Sequence, residues 1–165
     1  MLKSDNLLKL YFDQLDQMHS AETQIREALP KMIEAASEPD LKTALQNHLE
    51  ETETHAARLD KILMEAKGVV DPKLCKGIAA LITEGEDIIQ DATDDSVRDA
   101  GLIAAAQKVE HYEMAAYGTL RTFAEILGNS EHAALLNQTL EEEKHADAVL
   151  TAIADTANDK AHKAA

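Results

Sequence analysis

Apolar residues recur along this chain at alternating spacings of three and four, the period of a helix with one buried face. Leu41, Leu45, Leu49, Thr52, Leu59 and Ile62 follow that rule, and so do Leu136, Leu140, Glu143, Asp147 and Leu150. Breaks divide the pattern. Ser37-Glu38-Pro39-Asp40 offers a capping Ser and a Pro near a helix start, Gly68-Val69-Val70-Asp71-Pro72 a Gly stop and a Pro restart, and Gly128-Asn129-Ser130 a Gly stop and a cap. The Asp/Thr run from Asp91 to Ser96 is a softer break. Helices are therefore predicted over about residues 4–36, 39–67, 72–91, 96–127 and 130–156. Pro30 lies inside the first and should kink it or remove one hydrogen bond. One domain, residues 1–156, is expected, with an Ala/Lys/Asp-rich tail, 157–165, that frays.

A repeat underlies the pattern. Shifted by 91 residues, Glu22 falls on Glu113, Leu45 on Leu136, Leu49 on Leu140, Glu51 on Glu142 and Leu59 on Leu150. The first two long helices and the last two then form two copies of a hairpin, and the short middle helix is the crossover. That is an all-α, ferritin-like four-helix bundle with a shorter fifth helix in its long connection.

Composition narrows what such a bundle can do. The chain has 165 residues, 45% of them hydrophobic, with no Trp, so Ala and Leu must supply the packing of a single core. The net charge of −15 repels nucleic-acid backbones and anionic membranes and attracts cations. No segment approaches a membrane span. The lone Cys75 excludes an intramolecular disulfide, reads as a small buried residue and, with no signal peptide at the start, fits a cytoplasmic setting. There is no glycine-rich phosphate loop, Ser/His/Asp arrangement or Cys pair for zinc.

The informative residues are carboxylates in register with apolar stripes, because buried acids need partners or metal. Glu22 lies between Leu15, Met18 and Ile25, Leu29; Glu51 shares a ridge with His48, His55 and Ile62; Glu110 and Glu113 are three apart; Glu142 and His145 form Glu-x-x-His. A Glu from each of two helices plus Glu-x-x-His from the other two is the di-iron carboxylate pattern. Bridging carboxylates neutralise two cations about 3.5–4 Å apart, and mixed carboxylate and imidazole ligands suit Fe or Mn. Glu22, Glu51, Glu113 and Glu142 should form one layer, with His19, Glu110, His55 and His145 in the next. Glu51 has Thr54 where a strict motif has His. Each of these acids could instead be solvated, His19 and His48 read as ordinary polar positions, and Tyr112 and Tyr117 read as packing residues.

At these residues the sequence resembles the YciE/YciF family of ferritin-like bacterial proteins. The stretches that carry the resemblance are Ala21-Glu22 with Ala28-Leu29-Pro30-Lys31-Met32, His48-Leu49-Glu50-Glu51-Thr52, Val97-Arg98-Asp99-Ala100, Leu102 through Tyr117, and Thr139-Leu140-Glu141-Glu142-Glu143-Lys144 with Asp147. It implies a di-iron-type centre and a cytoplasmic, stress-associated ferroxidase. It extends to Glu22, Glu51, Glu110, Glu113, Glu142, Glu143, Asp147 and His48, but not to His19, His55 and His145, where relatives carry Tyr, Gln and a small residue. Glu143 with Asp147 is a rival to Glu142 on the last helix. The expected metal ligands are Glu22, Glu51, His55, Glu110, Glu113, Glu142 and His145, holding two Fe ions, or Mn, that react with O2 or peroxide; Glu51 and Glu142 would bridge, with Glu22 and Glu113 terminal. A homodimer is expected. The competing expectation is a non-catalytic bundle whose metal only stabilises the fold and which works by association.

Overall fold

A computed structural model describes residues 6–64 and 73–164. The helices are α1 (Leu7–Ala35), α2 (Pro39–Leu63), α3 (Lys76–Asp91), α4 (Asp95–Ile126) and α5 (Ser130–Lys163). The predicted break at 68–72 lies outside the described residues, as do the expected beginning of the first helix at 4 and the end of the second at 67. The last helix continues past residue 156 to Lys163, and Ala157 is buried on it. α1 runs through Pro30 without interruption, with the ring on the exposed side.

Local chemistry sets the ends. Asn6 caps α1 by accepting from Lys9 N at 2.9 Å, and Asp94 caps α4 through Ser96 N and Val97 N. α4 stops at Gly128, whose φ of +78° suits a residue without Cβ. Gly128 N bonds to Glu125 O and Asn129 N to Ala124 O, so the last carbonyls are satisfied. Asn129 then caps α5 through His132 N. The α1–α2 corner is held from outside. Buried Asp99 of α4 accepts from Ser37 N and Glu38 N, both at 2.8 Å, and so ties down the two residues that lead into α2, whose own cap residue, Glu38, makes no side-chain capping bond.

α1 and α2 form one hairpin, α4 and α5 the other; α1 also packs on α4, and α2 on α5. α3 lies outside, against α1 and α4. Its start is tied down by Lys73 N to Asp16 (2.8 Å) and Cys75 N to Ser20 Oγ (3.1 Å). Where α3 meets α4, a Cβ on Gly77 would lie 2.7 Å from the Tyr112 ring, and one on Gly101 2.7 Å from Ile88, so both glycines serve close approach. The architecture is a four-helix bundle with a fifth helix in the crossover.

Each long helix presents a stripe at three-and-four spacing to the interior. On α1 it is Tyr11, Leu15, Met18, Glu22, Ile25 and Leu29; on α2, Leu41, Leu45, His48, Thr52, His55, Leu59 and Ile62. α4 contributes Ala106, Glu110, Glu113, Tyr117 and Leu120; α5 contributes Leu136, Thr139, Leu140, Glu143 and Leu150. On every stripe a polar stretch sits between apolar ones. The bundle thus has a polar layer midway along an otherwise apolar core.

Candidate metal centre

Buried acid and imidazole groups fill that layer. Glu22, His48, His55, Glu110, Glu113 and Glu143 are each no more than 6% exposed. Their potential ligand atoms fall into two sets, His48/Glu110/Glu113/Glu143 and Glu22/His55/Glu143, with all atoms of a set within 4.8 Å of one another. Glu143 belongs to both. Glu143 Oε1 lies 3.0 Å from His55 Nδ1, while Glu143 Oε2 is 4.0 Å from His48 Nδ1. Glu22 Oε1 is 3.7 Å from His55 Nδ1, and Glu110 Oε1 is 3.4 Å from His48 Nε2.

Few of these atoms have hydrogen bonds. Both oxygens of Glu113 and of Glu143, Oε2 of Glu22 and of Glu110, both nitrogens of His48 and Nδ1 of His55 are buried without a properly aligned partner. Such orphans are costly inside a core. They fit a divalent cation, which takes carboxylate oxygens and imidazole nitrogens as ligands. Tyr117 is an exception to the pattern: its hydroxyl donates to Glu22 Oε1 and fixes that carboxylate.

Without metal the layer must hold protons instead. Burial, with Glu143 beside them, pushes the Glu110 and Glu113 carboxyls well above their ordinary 4.5. Glu22 rises to about 8, chiefly through burial, although His55 and the Tyr117 hydroxyl pull it down. The two imidazoles diverge. Burial lowers His48, favouring the neutral, ligating form. Burial also opposes charge on His55, but the Glu143 carboxylate 3.0 Å from it, with those of Glu22 and Glu142, outweighs burial and raises it to about 9.

The expected ligands divide between two depths. Glu22, His55, Glu110 and Glu113 are in the buried layer. Glu51, Glu142 and His145 lie farther out and line one surface depression between α2 and α5. His145 is exposed; Glu51 and Glu142 are half-buried. Arg58 grips Glu142 through both guanidinium ends, Nη2 to Oε1 at 3.0 Å, and holds its carboxyl below the ordinary range. Glu142 also reaches His55 Nε2 at 3.0 Å, connecting surface to centre. Of the residues expected in the second layer, His19 instead faces Asp60 at 2.9 Å. Asp147 pairs with His111 at 3.3 Å.

Glu143 and His48 are the central residues that the ligand set expected from sequence lacks. Both were visible in the apolar stripes. Glu143 stands three after Leu140 and seven before Leu150, and His48 three after Leu45. The Glu-x-x-His motif drew attention to Glu142, one residue and about 100° of helix away. In the shifted register Glu143 falls opposite Thr52, which has no carboxylate. α2 therefore keeps His55 of a Glu-x-x-His position without its Glu, and α5 keeps Glu143 with Ala146 where the His would stand. Glu22, Glu110, Glu113 and Glu143 with His48 and His55 are together four carboxylates and two imidazoles, drawn from the same four helices and able to hold a metal ion.

A helical bundle with its long crossover between two hairpins, built around a buried carboxylate and histidine layer, is a ferritin-like protein with a group able to hold metal. The chain belongs to the family described as a domain of unknown function, DUF892, which matches residues 6–162. It is 44% identical over 153 residues to Protein YciF of Escherichia coli K12, covering 92% of each chain. The crystal structure of that E. coli stress protein superposes with a TM-score of 0.88 at 42% identity, over 94% of this chain and 99% of that one. YcfI of Rhodopseudomonas palustris gives 0.85 at 38% identity, over 92% and 98%. A protein of Xanthomonas campestris, 18% identical with a TM-score of 0.73 over 92% of each chain, shares the fold. No helix among the described residues is long and apolar enough to cross a membrane.

Proposed function

We propose that this protein is a di-metal carboxylate protein that oxidises Fe(II) with O2 or peroxide, in the cytoplasm and under stress. The observation that carries the reading is the pair of ligand sets sharing Glu143. One shared carboxylate between two sets is what two neighbouring cations need, because it screens their mutual repulsion. Glu143 would bridge; His48, Glu110 and Glu113 would complete one position, and Glu22 and His55 the other. The stress setting follows the E. coli relative, which is described as a stress protein.

Bound Fe(II) would be the electron donor, each ion giving up one electron to become Fe(III), so that one O2 would take two electrons and two protons and leave as hydrogen peroxide. The chain's own part is to bind, orient and manage protons. Tyr117 fixes Glu22. Arg58 holds Glu142 against His55, on the path from the surface depression. His55 and the protonated carboxyls release protons as cations arrive, which makes uptake depend on pH. Manganese in the same ligands with peroxide is a close variant.

The test is an anaerobic Fe(II) titration of metal-free protein followed by O2, monitored in the near ultraviolet. Saturation at about two Fe per chain and oxidation well above the buffer rate support the reading. Saturable binding with oxidation no faster than in buffer would reduce the centre to a structural metal site.

A further inference from the structure

Beside the buried layer, on the side toward the C-terminal end of α1, lies a cavity of ≈ 110 Å³. Its wall is apolar, made by Ile25, Leu29, Met32, Leu45, Ile82 and Leu150. Space exists because Ala28, Ala44, Ala106 and Ala146 stand where larger residues would fill it. Its polar groups converge. His48 and Glu110, both more than nine-tenths buried, line it, and neither His48 nitrogen nor Glu110 Oε2 has a hydrogen-bond partner. Exposed Asn47 and His145 and half-buried Glu51 line it on the side of α2 and α5.

We propose that this cavity is a binding chamber for a small neutral organic molecule with an apolar body, one ring in size, and a single hydroxyl, the phenol class. Three features select that ligand. An apolar wall gives water few partners, and cavities of this order, about 150 Å³ in a well-studied case, take up benzene. The volume excludes drug-sized molecules, whose pockets run to about 300–1,000 Å³. The carboxylates at the polar end exclude an anion, and the apolar wall leaves the charge of an organic cation unsolvated over most of its surface, whereas a hydroxyl can donate its one proton to Glu110 while accepting from His48. The ligand's hydroxyl would then face the metal positions. That last point rests on the di-metal reading; the binding itself does not.

The experiment titrates the full-length, metal-free chain with phenol, using calorimetry for affinity and methyl NMR for location. The expected result is saturation at one phenol per chain, with shifts at the methyls of Ile25, Leu29 and Met32. Ala106→Leu and, separately, Ala146→Leu fill the cavity and should each weaken binding by at least about tenfold, roughly 1.4 kcal/mol. Circular dichroism and an Fe(II) titration of each variant check that fold and metal uptake persist. No saturable binding by the parent, shifts confined to methyls elsewhere, or unchanged affinity in both filled variants overturns the chamber. Should either variant fail to fold, the location of the shifts in the parent decides alone. Phenol binding in a parent that takes up no Fe(II) would uphold the chamber and overturn the metal reading; Fe(II) uptake without phenol binding would do the reverse.

Discussion

At the scale of residues the centre is a set of acids kept where acids are disfavoured. Glu143 is the most exposed to this conflict in energetic terms, since it is fully buried and shared by both ligand sets. Glu143→Gln should therefore weaken metal binding by about 100-fold or more, whereas Glu142→Gln, which touches the centre only through His55, should cost about 10–100-fold, as outer partners of metal ligands do. Glu143→Gln should also lower the stability of the metal-free protein near neutral pH, because His55, which faces Glu143 at 3.0 Å, loses the carboxylate that favours its charged form. Competition titrations and thermal melts check both statements.

The same residues give the metal-free protein a characteristic pH dependence. Glu22 titrates near 8 when folded against 4.5 ordinarily, and His55 near 9 against 6.5. Both values are raised, so the folded state binds more protons, and the associated stability is present at low pH and lost as pH rises. For Glu22 the loss runs from 4.5 to about 8, and for His55 from 6.5 to about 9. The melting temperature of metal-free protein should fall between pH 6 and 9, and saturating metal should flatten that fall. A metal-free melting temperature that rises over this range would contradict the proton inventory.

At the scale of elements, most of the fold was legible. The stripes at three-and-four spacing, Pro39, Asp94, Gly128 and Asn129 are local signals, and the helices begin and end near them. The end of α5 was not legible, because Ala/Lys/Asp composition reads as a frayed tail, while Ala157 in fact packs into the core. Nor could any local signal reveal Asp99. Its role depends on α4 passing the α1–α2 corner, where it accepts two backbone N–H groups. Asp99→Ala leaves those donors without their charged partner and should cost about 2–4 kcal/mol of stability with metal affinity little changed. Chemical denaturation with a parallel metal titration separates the two effects.

The site was half legible for a related reason. Glu22 and Glu113 sit squarely on their stripes, and the repeat pairs them, so periodicity alone placed them inside. Between Glu141, Glu142 and Glu143 the decision is a rotation of about 100° per residue. The familiar motif favoured Glu142, and the stripe Leu136–Leu140–Leu150 favoured Glu143. Burial follows the stripe. Arg58, one helix away, accounts for the charge left at Glu142, and that pairing has no signature in sequence.

At the scale of the whole molecule, the long-range field and the buried layer act in sequence. A net charge of −15 draws cations toward the surface, and the depression of Glu51, Glu141, Glu142 and His145 lies between α2 and α5, where Glu142 contacts His55 of the buried layer at 3.0 Å. The rate of metal uptake should then fall several-fold between low salt and about 0.5 M salt, while the final stoichiometry stays the same. Stopped-flow uptake at two ionic strengths checks this, and a salt-independent rate would remove the steering role.

The central claim is that two metals share Glu143. Anomalous diffraction from crystals soaked in Mn(II) or anaerobic Fe(II) tests it most directly. The account predicts two peaks per chain, about 3.5–4 Å apart, both within bonding distance of the Glu143 carboxylate. A single peak at Glu51, Glu142 and His145, or no ordered metal in the buried layer, would contradict it.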